Sequence, residues 1–409
     1  MSERFKFILK IIVFAGACLL IALALYFVFF RSKETVLETP TETDGTAGTL
    51  PGANDGTPGS TTPGTGTTTD GTGATRLTPS TIAKGGETFT TLLTNTAIQS
   101  PTVTVDGTVA YYDPADGKFY TIDANGNVVA MSQVTFPKAD NVVFDENATA
   151  AVIEFPDGTN VIYDFEAAKQ ITLPSHWEDF SFSGSGDQIA AKSIGTDESN
   201  RALVVTNTNG TETKVLASLG ANDKKVTVSW SPNSTVLGFS ATGGSTSGSF
   251  GRQEIYLIGP SGEASGILIV DGTNFNNIWA PDGKHLLYSV ADPNNGYKAV
   301  LWYADSQGDR KGDSRRKMAV STLVDKCTFT STATAYCGVP REMPPGGGSD
   351  MSAITASDDL YKIDITTGNA TLVAIPAADT KIFSPSISSD GKNFFYADAA
   401  GRLNVIKLK

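Results

Sequence analysis

One short pattern returns along most of this chain, and its spacing limits the available folds more than any other feature. Each copy runs from an aromatic or β-branched residue through small or polar residues and a turn into an apolar strand. Trp279-Ala280-Pro281-Asp282-Gly283-Lys284 before HLLYSV is the plainest copy, and Trp230-Ser231-Pro232-Asn233-Ser234 before TVLGFS is close to it. Further copies start at Val103, Phe144, Phe182 and Ile387, and a degenerate one at Phe329. Successive anchors are 41, 38, 48, 49, 50 and 58 residues apart, the period of a four-stranded propeller blade. Short alternating strands bounded by turn residues fill the region, with no helical periodicity.

Every copy carries a third strand: KFYTID, TNVIYDF, ALVVTN, EIYLIG, AVLWYA, DLYKID and LNVIKL. A fourth follows in all but the last: VVAMS, KQITL, TKVLAS, SGILIV, MAVSTLV and ATLVAI. The last copy runs out at Lys409, while Phe89–Thr94 precedes the first anchor with no blade of its own. Adding that segment to the last blade closes the ring and leaves no sheet edge open. The expected fold is all-β, a seven-bladed β-propeller over residues 86–409. Six or eight blades stay open, because one copy is degenerate. Asp-Gly supplies the positive φ of a tight hairpin, so those residues read as structural. The Trp and Phe anchors read as packing between blades.

Ile11–Phe30 is a run of twenty residues without a charge or a proline. As a helix it spans the hydrocarbon layer of about 30 Å, with Lys10 snorkelling at the edge. A cleaved signal peptide ending at Ala22-Leu23-Ala24 is the rival reading. The run continues through Leu25-Tyr26-Phe27-Val28-Phe29-Phe30, which favours an anchor. Cys18 then reads as a small lipid- or helix-facing side chain. Arg4, Lys6 and Lys10 before the span, against Arg31 and Lys33 after it, bias the N-terminus towards the cytoplasm. Residues 1–33 carry five basic and one acidic side chain, leaving 26 basic and 42 acidic on the rest. So acidic a bulk excludes nucleic acid as the main partner. Between anchor and propeller, residues 34–85 read as a flexible stalk. Pro40–Ser80 holds 14 Thr, 9 Gly and 5 Pro in 41 residues, too little apolar surface to offset ordering entropy. Its random-coil reach is about 35 Å, and its composition suits O-glycosylation.

The WSPDGK…LLY signature of the repeats resembles the TolB-like, WD40-like propeller family over residues 86–409. That family spans translocation-complex subunits, peptidase propellers and sensors, so the resemblance implies a fold and no single function. With its anchor and stalk, the chain is also similar to envelope proteins of candidate-phylum bacteria. Their YC-x-VP segment is Tyr336-Cys337-Gly338-Val339-Pro340 here, and no residue roles come with it.

No catalytic constellation is legible, and no enzyme, cofactor or metal site is expected. There is no G-x-S-x-G between a strand and a helix, no zinc spacing, and no phosphate-binding glycine pattern before a helix. His176 and His285 are the only imidazoles, and His285 lies in a repeat turn. Asp305-Ser306-Gln307-Gly308-Asp309 lacks the order of a calcium loop. Cys327 and Cys337 flank the first hairpin of the sixth copy; folding it about Thr332 puts them within disulfide reach. A disulfide and two buried thiols are the alternatives, with an extracytoplasmic location favouring oxidation.

Blade topology sharpens the functional expectation. Loops joining second and third strands share a face with the crossings between blades, while the Asp-Gly hairpins open on the other. The long loops Ala241–Gln253, Ser289–Lys298 and Gly338–Asp358 therefore gather on one side, and the crossing Pro174–Asp179 brings His176 and Trp177 there. Loops on a rigid scaffold are where binding residues sit, so Trp177, Arg252, Tyr297 and Arg341 are the candidate contacts. Arg310-Lys311 and Arg315-Arg316-Lys317 form a basic cluster on the opposite side. A solvated turn is favoured there over a site for anionic polymer or lipid headgroups. The expectation is a single-pass cell-membrane protein, held by residues 11–30, with a cytoplasmic N-terminus. Its propeller outside binds or scaffolds a protein, peptide or glycan. The alternatives are an envelope hydrolase or lyase and a structural subunit of a surface assembly.

Overall fold

The computed structural model describes residues 78–244, 251–307 and 311–409. The apolar run 11–30, Cys18 and the stalk up to residue 77 lie outside the described residues. Among the described residues no helix is long and apolar enough to cross a membrane.

Seven antiparallel sheets follow one another along the chain: 99–130, 141–173, 177–218, 226–271, 273–317, 327–376 and 383–407. They are blades one to seven, each running from an inner first strand outwards. Seven large apolar clusters hold them together, and each draws its side chains from two consecutive blades. The cluster that settles the topology packs Ile98, Val109, Tyr111 and Ile122 of blade one against Phe395, Leu403 and Val405 of blade seven. A blade cannot bury both faces alone, so the chain closes on itself.

The N-terminal segment completes the closure as expected. Thr91–Leu92 pairs antiparallel with Leu403–Lys407, Thr91 opposite Val405 and Leu92 opposite Asn404, and Thr94 Oγ1 accepts from the Leu403 N–H at 2.9 Å. An unexpected second contact precedes it. Gly86–Thr88 adds a parallel fifth strand to the outer edge of blade six, along Ala370–Pro376. The chain is bound even earlier, since the Ala83 N–H donates to the Lys407 carbonyl at 2.8 Å. The end of the segment read as stalk is thus part of the propeller.

The repeat turns show why their sequence recurs. In blade five the Asp282 carboxylate accepts from the Lys284 N–H at 2.9 Å, and Gly283 takes φ 63°. A Cβ on Gly283 would fall 2.6 Å from Asn233 in the matching turn of blade four. There Ser231 Oγ accepts from the Thr235 and Val236 N–H groups, and Ser234 adopts the left-handed conformation at φ 59°. The Trp279 indole donates to Ser229 Oγ of blade four at 3.0 Å, the inter-blade role expected of the anchors. Blade five departs from expectation in its fourth strand. The paired strand is Arg316–Lys317. Beyond it MAVSTLV keeps contacts with the third strand, from the Met318 N–H to the Leu301 carbonyl at 2.9 Å and from Ser321 Oγ to the Ala299 carbonyl at 2.6 Å. The Ala319 N–H donates to Gly368 of blade six, and Met318 and Val324 are buried at that interface.

Candidate functional site

The antiparallel order puts the described ends of the blade-four loop, 241–244 and 251, and the loops 292–298 and 340–358 on one face with the crossings between blades, as the blade argument requires. The four candidate residues fare differently there. Trp177 opens the inner strand Trp177–Phe182 of blade three and is 6% exposed, packed against Val152, Ile162 and Leu173 of blade two. It is a core residue and not a contact: the crossing before it is too short to hold its ring out of the blade interface. Arg252 is exposed but held by Asp271, Nε to Oδ1 2.6 Å. Arg341 is clamped between Asp359 at 3.0 Å and Asp379 at 2.7 Å. Tyr297 presents its ring to solvent, 47% exposed, on a backbone held left-handed at φ 57°.

Tyr297 keeps that strained conformation because hydrogen bonds fix it from both sides. Its N–H donates to the Asp292 carbonyl at 2.8 Å, and its carbonyl accepts from Gly348 at 2.9 Å. The blade-six loop therefore lies across blade five rather than standing free. Gly346 donates to Gly296 at 2.7 Å, Asn274 Nδ2 donates to the Gly348 carbonyl at 2.8 Å, and Met343 and Ile354 pack with Ala299 and Leu323 beneath.

The same face has polar rims. In blades one, three, five and seven the inner strand breaks register near its start, with Ser100, Asp179, Asn274 and Ser384 left-handed. Besides Asn274, which reaches Gly348 of blade six, two of these side chains reach the next blade. Ser100 Oγ donates to the Val142 carbonyl at 2.6 Å, and Asp179 accepts from the Val228 N–H at 3.0 Å. Glu154 sits near Asp140, Glu178 and Asp179, and burial chiefly raises its pKa. A buried ion pair, Lys326 with Asp358, lies at the junction of blades six and seven, where Asp358 also accepts from the Ile382 N–H at 2.7 Å. Burial lowers the Lys326 pKa, opposed by the Asp358 charge.

Two cavities open among these loops. One, of about 400 Å³, lies between blades four and five beside Arg252, Asp271, Asp292 and Trp302. The other, of about 420 Å³, lies between blades six and seven and includes Asp379, the partner of Arg341. The two arginines thus belong to separate places on one face. Among the described residues no group of three or more His, Cys, Asp or Glu side chains could hold a metal ion. His285 bridges two turns of blade five, Nδ1 2.7 Å from Asp282 and Nε2 3.2 Å from Asp305, and stacks on Tyr303. The basic cluster is largely engaged by the protein itself. Arg315 donates to the Ile269 carbonyl of blade four and Arg316 to the Ile365 carbonyl of blade six at 3.0 Å; Arg310 lies outside the described residues. Cys327 and Cys337 are direct cross-strand partners joined by a disulfide, with Cα atoms 4.1 Å apart.

The fold and its closed ring make the chain a seven-bladed β-propeller. No family model matches the sequence, and no curated protein matches it. Among solved structures, an oligogalacturonate lyase in complex with manganese is similar at a TM-score of 0.54 and 14% identity, covering 78% of this chain and 93% of that one. A chain of a mitotic checkpoint complex is similar at a TM-score of 0.51 and 12% identity, covering 78% and 93%. Proteins so different in their work share the fold with this chain and no more.

Proposed function

We propose that this protein is a membrane-anchored propeller that holds its loop-bearing face outside the cytoplasm as a binding platform for a protein, peptide or glycan of the cell envelope. The observation that carries this reading is the gathering of the long loops on one face, with Tyr297 exposed and held by hydrogen bonds among them. The buried disulfide supports an oxidising compartment. The apolar run 11–30 supplies the anchor, and the WSPDGK-type turns keep the likeness to TolB-like repeats. The fold's similarity to a lyase gives the hydrolase or lyase alternative its one support, and a broad activity screen of the full chain tests it. Two experiments on intact cells test the main reading. External protease must cleave the propeller. A photo-crosslinking amino acid at Tyr297 must capture a defined envelope component that the same probe at Val105, 75% exposed on the hairpin face, does not. Protection from protease, or equal capture at both positions, contradicts the platform.

A further inference from the structure

The outermost strand of a blade offers unpaired N–H and C=O groups to any strand that can lie beside it. Most of these edges are blunted here. Gly86–Thr88 covers blade six and Thr91–Leu92 covers blade seven. The outer strand of blade five is only Arg316–Lys317, and in blade four the Ile269 carbonyl already accepts from Arg315. Lys169 opens the outer strand of blade two and Lys214 that of blade three. Blade one is the exception among the described residues. Its edge strand Val128–Ala130 has no strand beside it, and Val128 and Val129 are 49% and 63% exposed. Residues 124–137 carry no charged side chain, in a chain of net charge −12.

The register fixes which backbone groups are free. Val128, Val129 and Ala130 lie opposite Ile122, Thr121 and Tyr120. On either side the Met131 N–H donates to the Phe119 carbonyl at 2.9 Å, and the Asn127 carbonyl accepts from Asp123 at 3.1 Å. Hydrogen bonding alternates along an antiparallel pair, so Asn127, Val129 and Met131 bond inwards while Val128 and Ala130 turn their N–H and C=O groups outwards. Such an edge is complementary to itself. In a two-fold pairing centred on Val129, Val128 of each copy meets Ala130 of the other, and the free groups close four hydrogen bonds. Val129 then faces Val129 of the second copy as a non-hydrogen-bonded pair, with Cα atoms about 4.5 Å apart. Two acidic molecules can meet at this edge without setting carboxylates opposite one another.

We propose that two copies of this chain associate by adding blade one to blade one, antiparallel about Val129. So few paired residues put the contact at the weak, reversible end of protein interfaces. The antiparallel direction turns the two loop-bearing faces to opposite sides, so the pair offers one on each. The test is disulfide trapping with the purified full chain in a C18S background, where Cys327 and Cys337 are already joined. Under mild oxidation V129C should give a dimer band on a non-reducing gel at least about tenfold faster than V215C, an exposed position on the outer strand of blade three. A130P removes an outward N–H and leaves the inward bonds alone, and A130K sets like charges across the two-fold. Either change, added to V129C, should bring the rate down to that of V215C, and A130K carries the test if A130P does not fold. V129C that links no faster than V215C overturns the proposal, as does a rate that folded A130P or A130K leaves unchanged. On intact cells, V129C joined to a different polypeptide in place of its own copy would make this edge a site for another protein's strand and would also overturn it.

Discussion

Replacing Lys326 by methionine would strip the counter-charge from a carboxylate that has no access to water. Lys326 is 1% exposed and Asp358 fully buried, and the ammonium also lies 5.1 Å from the centroid of the Phe383 ring. In K326M the Asp358 carboxylate keeps the Ile382 N–H as its one donor, while its second oxygen already has no partner. Breaking one side of a buried pair costs about 3–5 kcal/mol. At about 2–4 °C per kcal/mol for a large domain, the midpoint should fall by roughly 6–20 °C in a circular-dichroism melt at pH 7. Removing both charges is a different perturbation. K326M/D358L should recover most of that loss, leaving about 1–3 kcal/mol for the Ile382 N–H that then lacks an acceptor. A K326M protein within about 1 kcal/mol of the parent, or a double variant no more stable than the single one, would refute the reasoning.

Three further outcomes are expected. F395A, in the cluster joining blade seven to blade one, should cost about 3–5 kcal/mol in denaturant unfolding, while V215A on an exposed outer strand should stay within about 0.5 kcal/mol. E154Q keeps the acceptor for Asn141 Nδ2, now at 2.7 Å, and removes a carboxylate whose pKa burial raises. A raised folded-state pKa weakens the native state as pH rises through it. E154Q should therefore be the more stable protein at pH 7, and the two stability curves should converge below the unfolded glutamate value of about 4.3. C327A/C337A removes a cross-link of sequence separation 10 and should lower stability by about 2–3 kcal/mol on the loop-entropy scale, read as the shift of the denaturant midpoint.

The ring was legible because its information is local and repeated. Each copy carries its own turn, its own alternating strands and an aromatic or β-branched anchor that packs at a blade interface, so seven weak signals reinforce one another. What escaped the reading depends on distant residues. Gly86–Thr88 has too little side chain to mark a strand, and its parallel partner lies almost 300 residues away. MAVSTLV alternates like a strand, yet Met318 and Val324 serve the interface with blade six without one. Trp177 looked like a loop residue because the crossing was read as extending to Asp179, and only pairing with Ser193 reveals it as the first residue of an inner strand. Arg252 and Arg341 stood out as cations on loops, but their partners Asp271, Asp359 and Asp379 carry no local signal. The cavity between blades six and seven is assembled from four segments spread over the chain, and no spacing rule could have gathered them.

Closure itself can be read from a single cross-link. Thr91 and Val405 are direct cross-strand partners across the seam, at a separation that brings paired side chains to about 4.5–5.5 Å. Cysteines at both positions, in a C18S background, should oxidise within one chain and give a faster band on a non-reducing gel that reductant abolishes. Thiols that stay free in the folded monomer, or that link only between chains, would mean that the two ends do not meet and that the blades form no ring.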